Sequence, residues 1–196
     1  MDDEKSIRAF LAVEPPAEIR KEIGNIQDKL RGSCPFDVRW VKPAAIHLTL
    51  KFFGNVSPDD IAVISSIVGK NTPALAPLQF EVKRLGLFPS LKRPRVIWIG
   101  LEGDTAPLLI LQKSLEQEFE EYGFRREERP FRPHLTIGRI KSSRLSGDAE
   151  KFMARGDKWE AGNFRADGLG LFQSDLTPQG AIYTRLGWFP FQKPVA

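Results

Sequence analysis

The order of apolar and polar positions divides the chain into alternating strand-like and helix-like segments. The run SIRAFLAVE (6–14) predicts a first strand. Behind it, Ile19, Ile23, Ile26 and Leu30 recur at helical spacing, with Pro15-Pro16 at the entry and Gly32 at the exit, which predicts an amphipathic helix. Residues 39–41 (RWV) predict a short strand or a strand entry. AIHLTLKFFG (45–54) alternates as a half-buried strand does, and Gly54-Asn55 closes it. Next, Ser57 is placed as an N-cap, Pro58 as the first helical residue and Asp59-Asp60 in the first turn of a helix, SPDDIAVISSIVGKN.

Residues 78–88 predict a strand. RVIWIGLE, from Arg95, is so nearly continuously apolar that it predicts a strand buried on both faces or at a lobe boundary. Asp104 to Tyr122 form the longest predicted helix, with Leu108, Leu111, Leu115 and Phe119 on one stripe and Gly123 as its stop. RPHLTIGRI (132–140) is a second alternating strand, and SGDAEKFMARGD (146–157) a short helix. KWEAGNFRADGLGLFQS and GAIYTRLGWFPF read as a closing antiparallel pair around the turn DLTPQG.

The chain's 2 histidines each open the same phrase, His47-Leu48-Thr49-Leu50 and His134-Leu135-Thr136-Ile137. By average composition this coincidence is an accident on the order of one in tens of thousands. Strand alternation puts His47, Thr49 and Lys51 on one face and Leu48, Leu50 and Phe52 on the other, which is the core face. Likewise His134 and Thr136 share a face backed by Leu135 and Ile137. Residues two apart along a strand are about 6.6 Å apart, so an imidazole and a hydroxyl can both touch one small anion. A phosphate is the natural candidate.

The repetition extends further. Ala9 precedes His47 by 38 residues (47 − 9), and Val96 precedes His134 by 38 (134 − 96). Leu85-Gly86-Leu87-Phe88 returns as Leu169-Gly170-Leu171-Phe172. Two copies of one β-α-β-α-β unit, roughly 6–90 and 94–190, within a single bilobal domain spanning 1–196, account for this pattern. A pseudo-two-fold pair of lobes would set the two His-x-Thr faces opposite each other across one cleft.

Composition narrows the chemistry. With 41% hydrophobic and 28% charged residues the chain is an ordinary globular one, so disorder is not expected. A net charge of +4 favours a polyanionic partner without requiring one. Cys34 is the only cysteine, which excludes an intrachain disulfide and a thiolate cluster. The acidic MDDEKSIRAFLAVE is unlike a signal peptide and no apolar run reaches about 18 residues, so a cytoplasmic location with no membrane span is expected. Cysteine and histidine together offer at most 3 zinc ligands, so no metal and no cofactor are expected. Nucleophile-elbow, phosphate-loop and dinucleotide-binding glycine patterns are absent.

Opening a strained phosphodiester requires a base for the attacking water and an acid for the leaving oxygen, on opposite sides of phosphorus. Two imidazoles with an unperturbed pKa near 6.5 suit that division of labour. Threonine hydroxyls would donate to the non-bridging oxygens, and a nearby Lys or Arg would add cationic stabilisation.

With RAFLAVEPP, RWVKPAAIHLTLKFFGNV, LGLFPSLKRPRVIWIGL, FRPHLTIGRI and LGLFQSDLTPQGAIYTRL, the sequence resembles LigT-like members of the two-histidine phosphoesterase superfamily, in the RNA 2′,3′-cyclic phosphodiesterase branch, over nearly its whole length. The resemblance implies a bilobal α+β fold in which each lobe is an antiparallel sheet with helices on its outer face. It implies metal-independent opening of a terminal RNA 2′,3′-cyclic phosphate to a 2′-phosphate, with reversible 2′-5′ joining of tRNA halves as a further activity. By the same resemblance His47 is the proton donor, His134 the proton acceptor, Thr49 and Thr136 hold the phosphate, and Arg139 matches a phosphate contact. Near-symmetry leaves the reverse acid/base assignment open. Arg139 lies an odd number of positions from His134 and should face the core unless Gly138 marks a bulge; Arg132 is its substitute, and Lys51 a second cation.

Phe131 and Trp40 are placed as base-stacking residues or as ordinary core aromatics. Lys83-Arg84, Lys92-Arg93, Arg95 and Arg125-Arg126 are placed along the RNA backbone or on a solvated face. The expected partner is RNA with a 2′,3′-cyclic phosphate end, and the expected state a monomer. Two rival readings stand beside this one: a phosphoesterase for a small cyclic nucleotide or nucleotide-sugar cyclic phosphate, and a non-catalytic nucleotide- or RNA-binding module.

Overall fold

A computed structural model of the chain describes residues 6–142, 149–178 and 180–192. In chain order the elements are β1 (Ile7–Val13), α1 (Ala17–Arg31), β2 (Asp37–Trp40), β3 (Leu48–Val56), α2 (Pro58–Asn71), β4 (Leu78–Phe88), β5 (Val96–Gly103), α3 (Thr105–Glu121), β6 (His134–Ser142), α4 (Ala149–Met153), β7 (Glu160–Ala166), β8 (Gly168–Thr177) and β9 (Gly180–Pro190). The strands form two antiparallel sheets, ordered β3-β1-β8-β9 and β2-β6-β5-β4-β7. The fold is α+β with two lobes, as the sequence led us to expect.

Local chemistry sets the helices. The Ser57 side chain accepts from the Asp60 N–H while the Asp60 carboxylate accepts from the Ser57 N–H, a closed capping box that starts α2. The predicted stripe of α3, Leu108, Leu111, Leu115 and Phe119, is buried together with Ile19, Ile23, Ile26 and Leu30 of α1 and Ile64, Ile67 and Val68 of α2, in one core with the inner faces of both sheets.

Neither sheet is built from one half of the chain. β4 leaves the first half to pair with β5, and β8 leaves the second half to pair with β1. The repeated Leu-Gly-Leu-Phe phrases fill matching places: Gly170 lies opposite Ala12 and Phe172 opposite Phe10, while Gly86 lies opposite Trp98 and Phe88 opposite Val96. The glycine of each phrase makes room for an aromatic ring. A Cβ on Gly86 would sit 1.9 Å from the Trp98 indole, and one on Gly170 would sit 2.4 Å from the Phe172 ring.

Several expectations change. Residues 158–174 are not one strand of a closing pair, because the chain passes from the five-stranded sheet (β7) to the four-stranded one (β8) at Asp167. The passage is tight: a Cβ on Gly168 would meet the Phe189 carbonyl oxygen at 2.5 Å. Of the two settings expected for β5, a lobe boundary fits and cover on both faces does not, because buried residues alternate with half-buried ones. Of the helix expected over 146–157, Ala149–Met153 is helical, and 143–148 lie outside the described residues.

The most consequential change lies in the two histidine strands. Leu50 has no partner in the β1–β3 ladder, and Ile137 none in the β5–β6 ladder, so each is a one-residue bulge three positions after its histidine. Alternation restarts beyond the bulge with the opposite phase. Lys51 therefore does not share the His47 face. It is 5% exposed, with Nζ donating to both Glu116 carboxylate oxygens at 3.0 and 3.1 Å and to the Arg125 carbonyl at 2.9 Å. Phe52, assigned to the core by simple alternation, is instead 46% exposed.

The Lys51–Glu116 pair yields a stability prediction. Lys51→Met strands the Glu116 carboxylate in the core and is expected to lower unfolding free energy in urea by about 3–5 kcal/mol, whereas Lys51→Met with Glu116→Leu recovers most of the loss. Equal losses in the single and double variants would refute a structural ion pair.

Candidate active site

His47 stands immediately before β3, after a 3-10 turn at Pro43–Ala45, and His134 is the first residue of β6. Each imidazole is held by the carbonyl two residues before it: His47 Nδ1 lies 2.9 Å from the Ala45 oxygen, and His134 Nδ1 lies 2.6 Å from the Arg132 oxygen. A carbonyl only accepts, so Nδ1 carries the hydrogen and donates in both residues. Nε2 is thereby left as the reactive nitrogen of each ring. The same bond occurs twice although the approach differs, a 3-10 turn before His47 and an irregular segment before His134.

Aromatic rings enclose both imidazoles. Phe10 stacks on His47 with centroids 4.6 Å apart, and Tyr183 meets it edge-on at 5.1 Å. Phe88 meets His134 edge-on at 4.9 Å, with Trp98 at 6.3 Å. Burial pulls the His47 pKa down to about 4; the Ala45 hydrogen bond opposes this shift, and the Arg139 guanidinium adds to it. His134 is lowered by the same causes in the same order: burial, opposed by the Arg132 carbonyl, with Arg139 lowering it further. Tyr183 is raised by burial, against Arg139 and Arg8. One guanidinium thus acts on both imidazoles and on Tyr183, so the two His-x-Thr strands share one electrostatic space.

Thr49 lies opposite Ala12 and Thr136 opposite Trp98, each on the histidine side of its bulge. Among the described residues neither threonine hydroxyl has a protein hydrogen-bond partner. A cavity of about 560 Å³ opens at His47, lined by Phe10, Phe172, Tyr183, Ile182, Lys42 and Arg185.

The remaining assignments divide. Arg139 reaches the cleft despite its odd offset, because Ile137 bulges one residue before the glycine expected to do so. Arg132 contributes its backbone carbonyl to His134, while its side chain is exposed. Trp40, expected either to stack on a base or to be a core aromatic, packs partly buried against the core opposite Gly138, with the Arg31 guanidinium 5.5 Å from its ring centroid. Phe131 packs against the core and lines a separate hollow with Glu116 and Arg126. Several surface cations assigned to an RNA path are taken up by acids, Lys83 by Glu81 and Glu102, Arg84 by Glu102, Arg125 by Glu128 and Arg126 by Glu120.

Sequence reasoning missed Phe10, Phe88, Trp98, Phe172 and Tyr183, which wall the site. Phe88 and Phe172 were within reach, since both end the repeated Leu-Gly-Leu-Phe phrase.

The LigT like Phosphoesterase family matches the sequence twice, over residues 13–98 and 99–183. The chain belongs to that family. An RNA 2′,3′-cyclic phosphodiesterase of Methanothermobacter thermautotrophicus is 36% identical over 183 residues, covering 93% of this chain and 98% of that protein. One from Thermotoga maritima is 33% identical over 188 residues, covering 90% and 91%. Among solved structures, TT0787 of Thermus thermophilus superposes with a TM-score of 0.77 at 26% identity, covering 95% of this chain and 98% of that one. Escherichia coli LigT complexed with 3′-AMP shares the fold, with a TM-score of 0.76 at 24% identity and coverage of 96% and 100%. Among the described residues of this LigT-family chain, no helix is long and apolar enough to cross a membrane.

The depressed pKa values have a definite sign. The folded state binds fewer protons than the unfolded chain between the ordinary histidine value and about 4, so these groups contribute full stability above about pH 6.5 and progressively less as the pH falls toward 4. In proton NMR of the ligand-free protein, the His47 Hε1 resonance should titrate near pH 4 and that of His134 below 6.5. Inorganic phosphate should move both midpoints upward, and ordinary midpoints without ligand would refute the burial of these rings.

Proposed function

We propose that this LigT-family protein hydrolyses a terminal 2′,3′-cyclic phosphate on RNA to a 2′-phosphate. The observation that supports this most directly is the doubled site: two imidazoles fixed through Nδ1 by matching carbonyls, each with an unpartnered threonine beside it, and one arginine acting on both. The names of the similar proteins, RNA 2′,3′-cyclic phosphodiesterases at 36% and 33% identity, support the same substrate.

The cyclic phosphate enters between the His-x-Thr strands, where Thr49 and Thr136 donate to its non-bridging oxygens. Arg139 offsets the charge that grows there as the pentacoordinate state forms. His134 Nε2 takes a proton from water, whose oxygen attacks phosphorus in line with the 3′ oxygen. As the phosphorus–3′-oxygen bond breaks, His47 Nε2 gives its proton to the leaving oxygen. The products are a 2′-phosphate and a 3′-hydroxyl, with the two histidines left in exchanged protonation states that solvent resets.

His47 must be protonated to act as the acid, and in the empty site burial and Arg139 oppose that. An incoming phosphate anion reverses the balance, since an opposite charge nearby favours the imidazolium. The proton-poor state is therefore a property of the site before substrate arrives. The same reading extends to tRNA halves as substrates, to their reverse joining through a 2′-5′ bond, and to a monomeric cytoplasmic enzyme.

The test uses an oligoribonucleotide ending in a 2′,3′-cyclic phosphate, excess EDTA and phosphorus NMR. Wild type should form only the 2′-phosphate. His47→Ala and His134→Ala should each lose at least about a hundredfold, the usual contribution of general acid or base catalysis. A substrate with sulfur in place of the 3′ oxygen departs without a proton, so it should restore turnover to His47→Ala and not to His134→Ala; the opposite rescue would reverse the two roles. Activity abolished by EDTA, or a 3′-phosphate product, would refute the mechanism.

A further inference from the structure

The four- and five-stranded sheets are related strand by strand, except that β2 lies beside β6 with no counterpart beside β3. That additional strand puts Arg39 directly opposite Arg139. Like charges facing each other across an antiparallel pair are destabilising, and among the described residues neither arginine is paired with a carboxylate. Arg39 also reaches toward the other lobe, with Nη2 3.8 Å from the place a Cβ would take on Gly180, at the start of β9. From that lobe Arg8 donates to Ser174 Oγ at 3.1 Å and lies 5.7 Å from the Phe52 ring centroid, likewise without a carboxylate among the described residues. Arg8 and Arg139 both act on Tyr183.

The cleft thus holds more cationic charge than its reaction requires. A cyclic phosphodiester carries a single negative charge, which Arg139 and one imidazolium already meet. Two further arginines without a carboxylate among the described residues, Arg39 beside Arg139 and Arg8 on the opposite lobe, fit a second anion. On an RNA 3′ end the next anion is the phosphodiester joining the terminal nucleotide to its 5′ neighbour.

We propose that Arg39, with Arg8 from the opposite lobe, holds that neighbouring phosphodiester, so that the enzyme favours substrates of two or more nucleotides over mononucleoside cyclic phosphates. The inference rests on the RNA reading above. Arg39 is a specificity residue here: it binds the substrate one phosphate away from the bond that breaks.

The experiment compares cytidine 2′,3′-cyclic phosphate with a trinucleotide ending in the same group, on wild type, Arg39→Ala and Arg39→Lys. Arg39→Ala should raise KM for the trinucleotide about tenfold with kcat nearly unchanged, leave both constants for the mononucleotide within about twofold, and lower the salt slope of trinucleotide binding by about 0.7, the value for one phosphate contact on a single strand. Arg39→Lys should restore most of the loss. Equal losses on both substrates, or none on either, overturn the proposal.

Fluorescence anisotropy with a labelled trinucleotide 3′-phosphate, competed by cytidine 3′-phosphate, decides the matter independently of turnover. If the wild type hydrolyses neither cyclic phosphate, the proposed activity falls, while selective weakening of the trinucleotide by Arg39→Ala still upholds the subsite. Unchanged anisotropy removes it. The exposed position of Arg39 keeps the variant foldable, which a thermal melt confirms.

Discussion

One unpaired residue, three positions after each histidine, governs what the cleft contains. Before the bulges at Leu50 and Ile137, strand alternation sends His47, Thr49, His134 and Thr136 into the space between the lobes; beyond them the phase reverses. Had β6 remained regular, the guanidinium of Arg139 would have faced the core, where an unpaired charge is costly. Regular alternation in β3 would have taken Lys51 away from Glu116 and left that carboxylate buried without its partner. The bulge thus separates two cations of similar sequence context: Lys51 ties β3 to α3 and to the segment leading toward His134, while Arg139 acts on both imidazoles.

Burial and charge then act together on the imidazoles. Rings from both sheets bury the imidazoles and Arg139 adds positive charge, so both histidines are shifted toward the neutral form. The Nδ1–carbonyl bonds fix ring orientation and tautomer without adding charge. An anion between the two strands would act in the opposite sense and favour the imidazolium forms.

Much of this was legible in the sequence where the signal was local. The capping box at Ser57, the Leu108 to Phe119 stripe and the two His-x-Thr phrases each declare themselves within a turn or two of chain. The bulges did not, because the run from His47 to Phe52 alternates regularly in its letters and an extra residue leaves no gap; only the adjacent Phe52-Phe53 hinted at a change of phase. The exchange of β4 and β8 between sheets was also invisible, since long-range pairing has no local code. Equal spacings of 38 residues even misled slightly. In the ladders Val13 faces Leu48 and Ile99 faces Leu135, separations of 35 (48 − 13) and 36 (135 − 99), so the second copy is one residue longer between its first two β-ladder positions.

That small mismatch points to how a near-symmetric scaffold performs an asymmetric reaction. Opening a cyclic phosphate at one oxygen requires that acid and base differ, yet the repeated phrases give both histidines the same tautomer and the same kind of holder. The difference must come from positions where the copies diverge. The place taken by Arg139, opposite Val96 beyond the bulge, is taken in the other lobe by Phe52, opposite Phe10. At this one pair of matched places the five-stranded sheet therefore presents a guanidinium, and the four-stranded sheet a ring that packs with Phe10. An RNA end is itself polar in this sense, with phosphates along one edge and bases along the other. On the reaction proposed above, an end seated with its phosphate against Arg139 and its base toward Phe52 would fix which histidine meets the leaving oxygen.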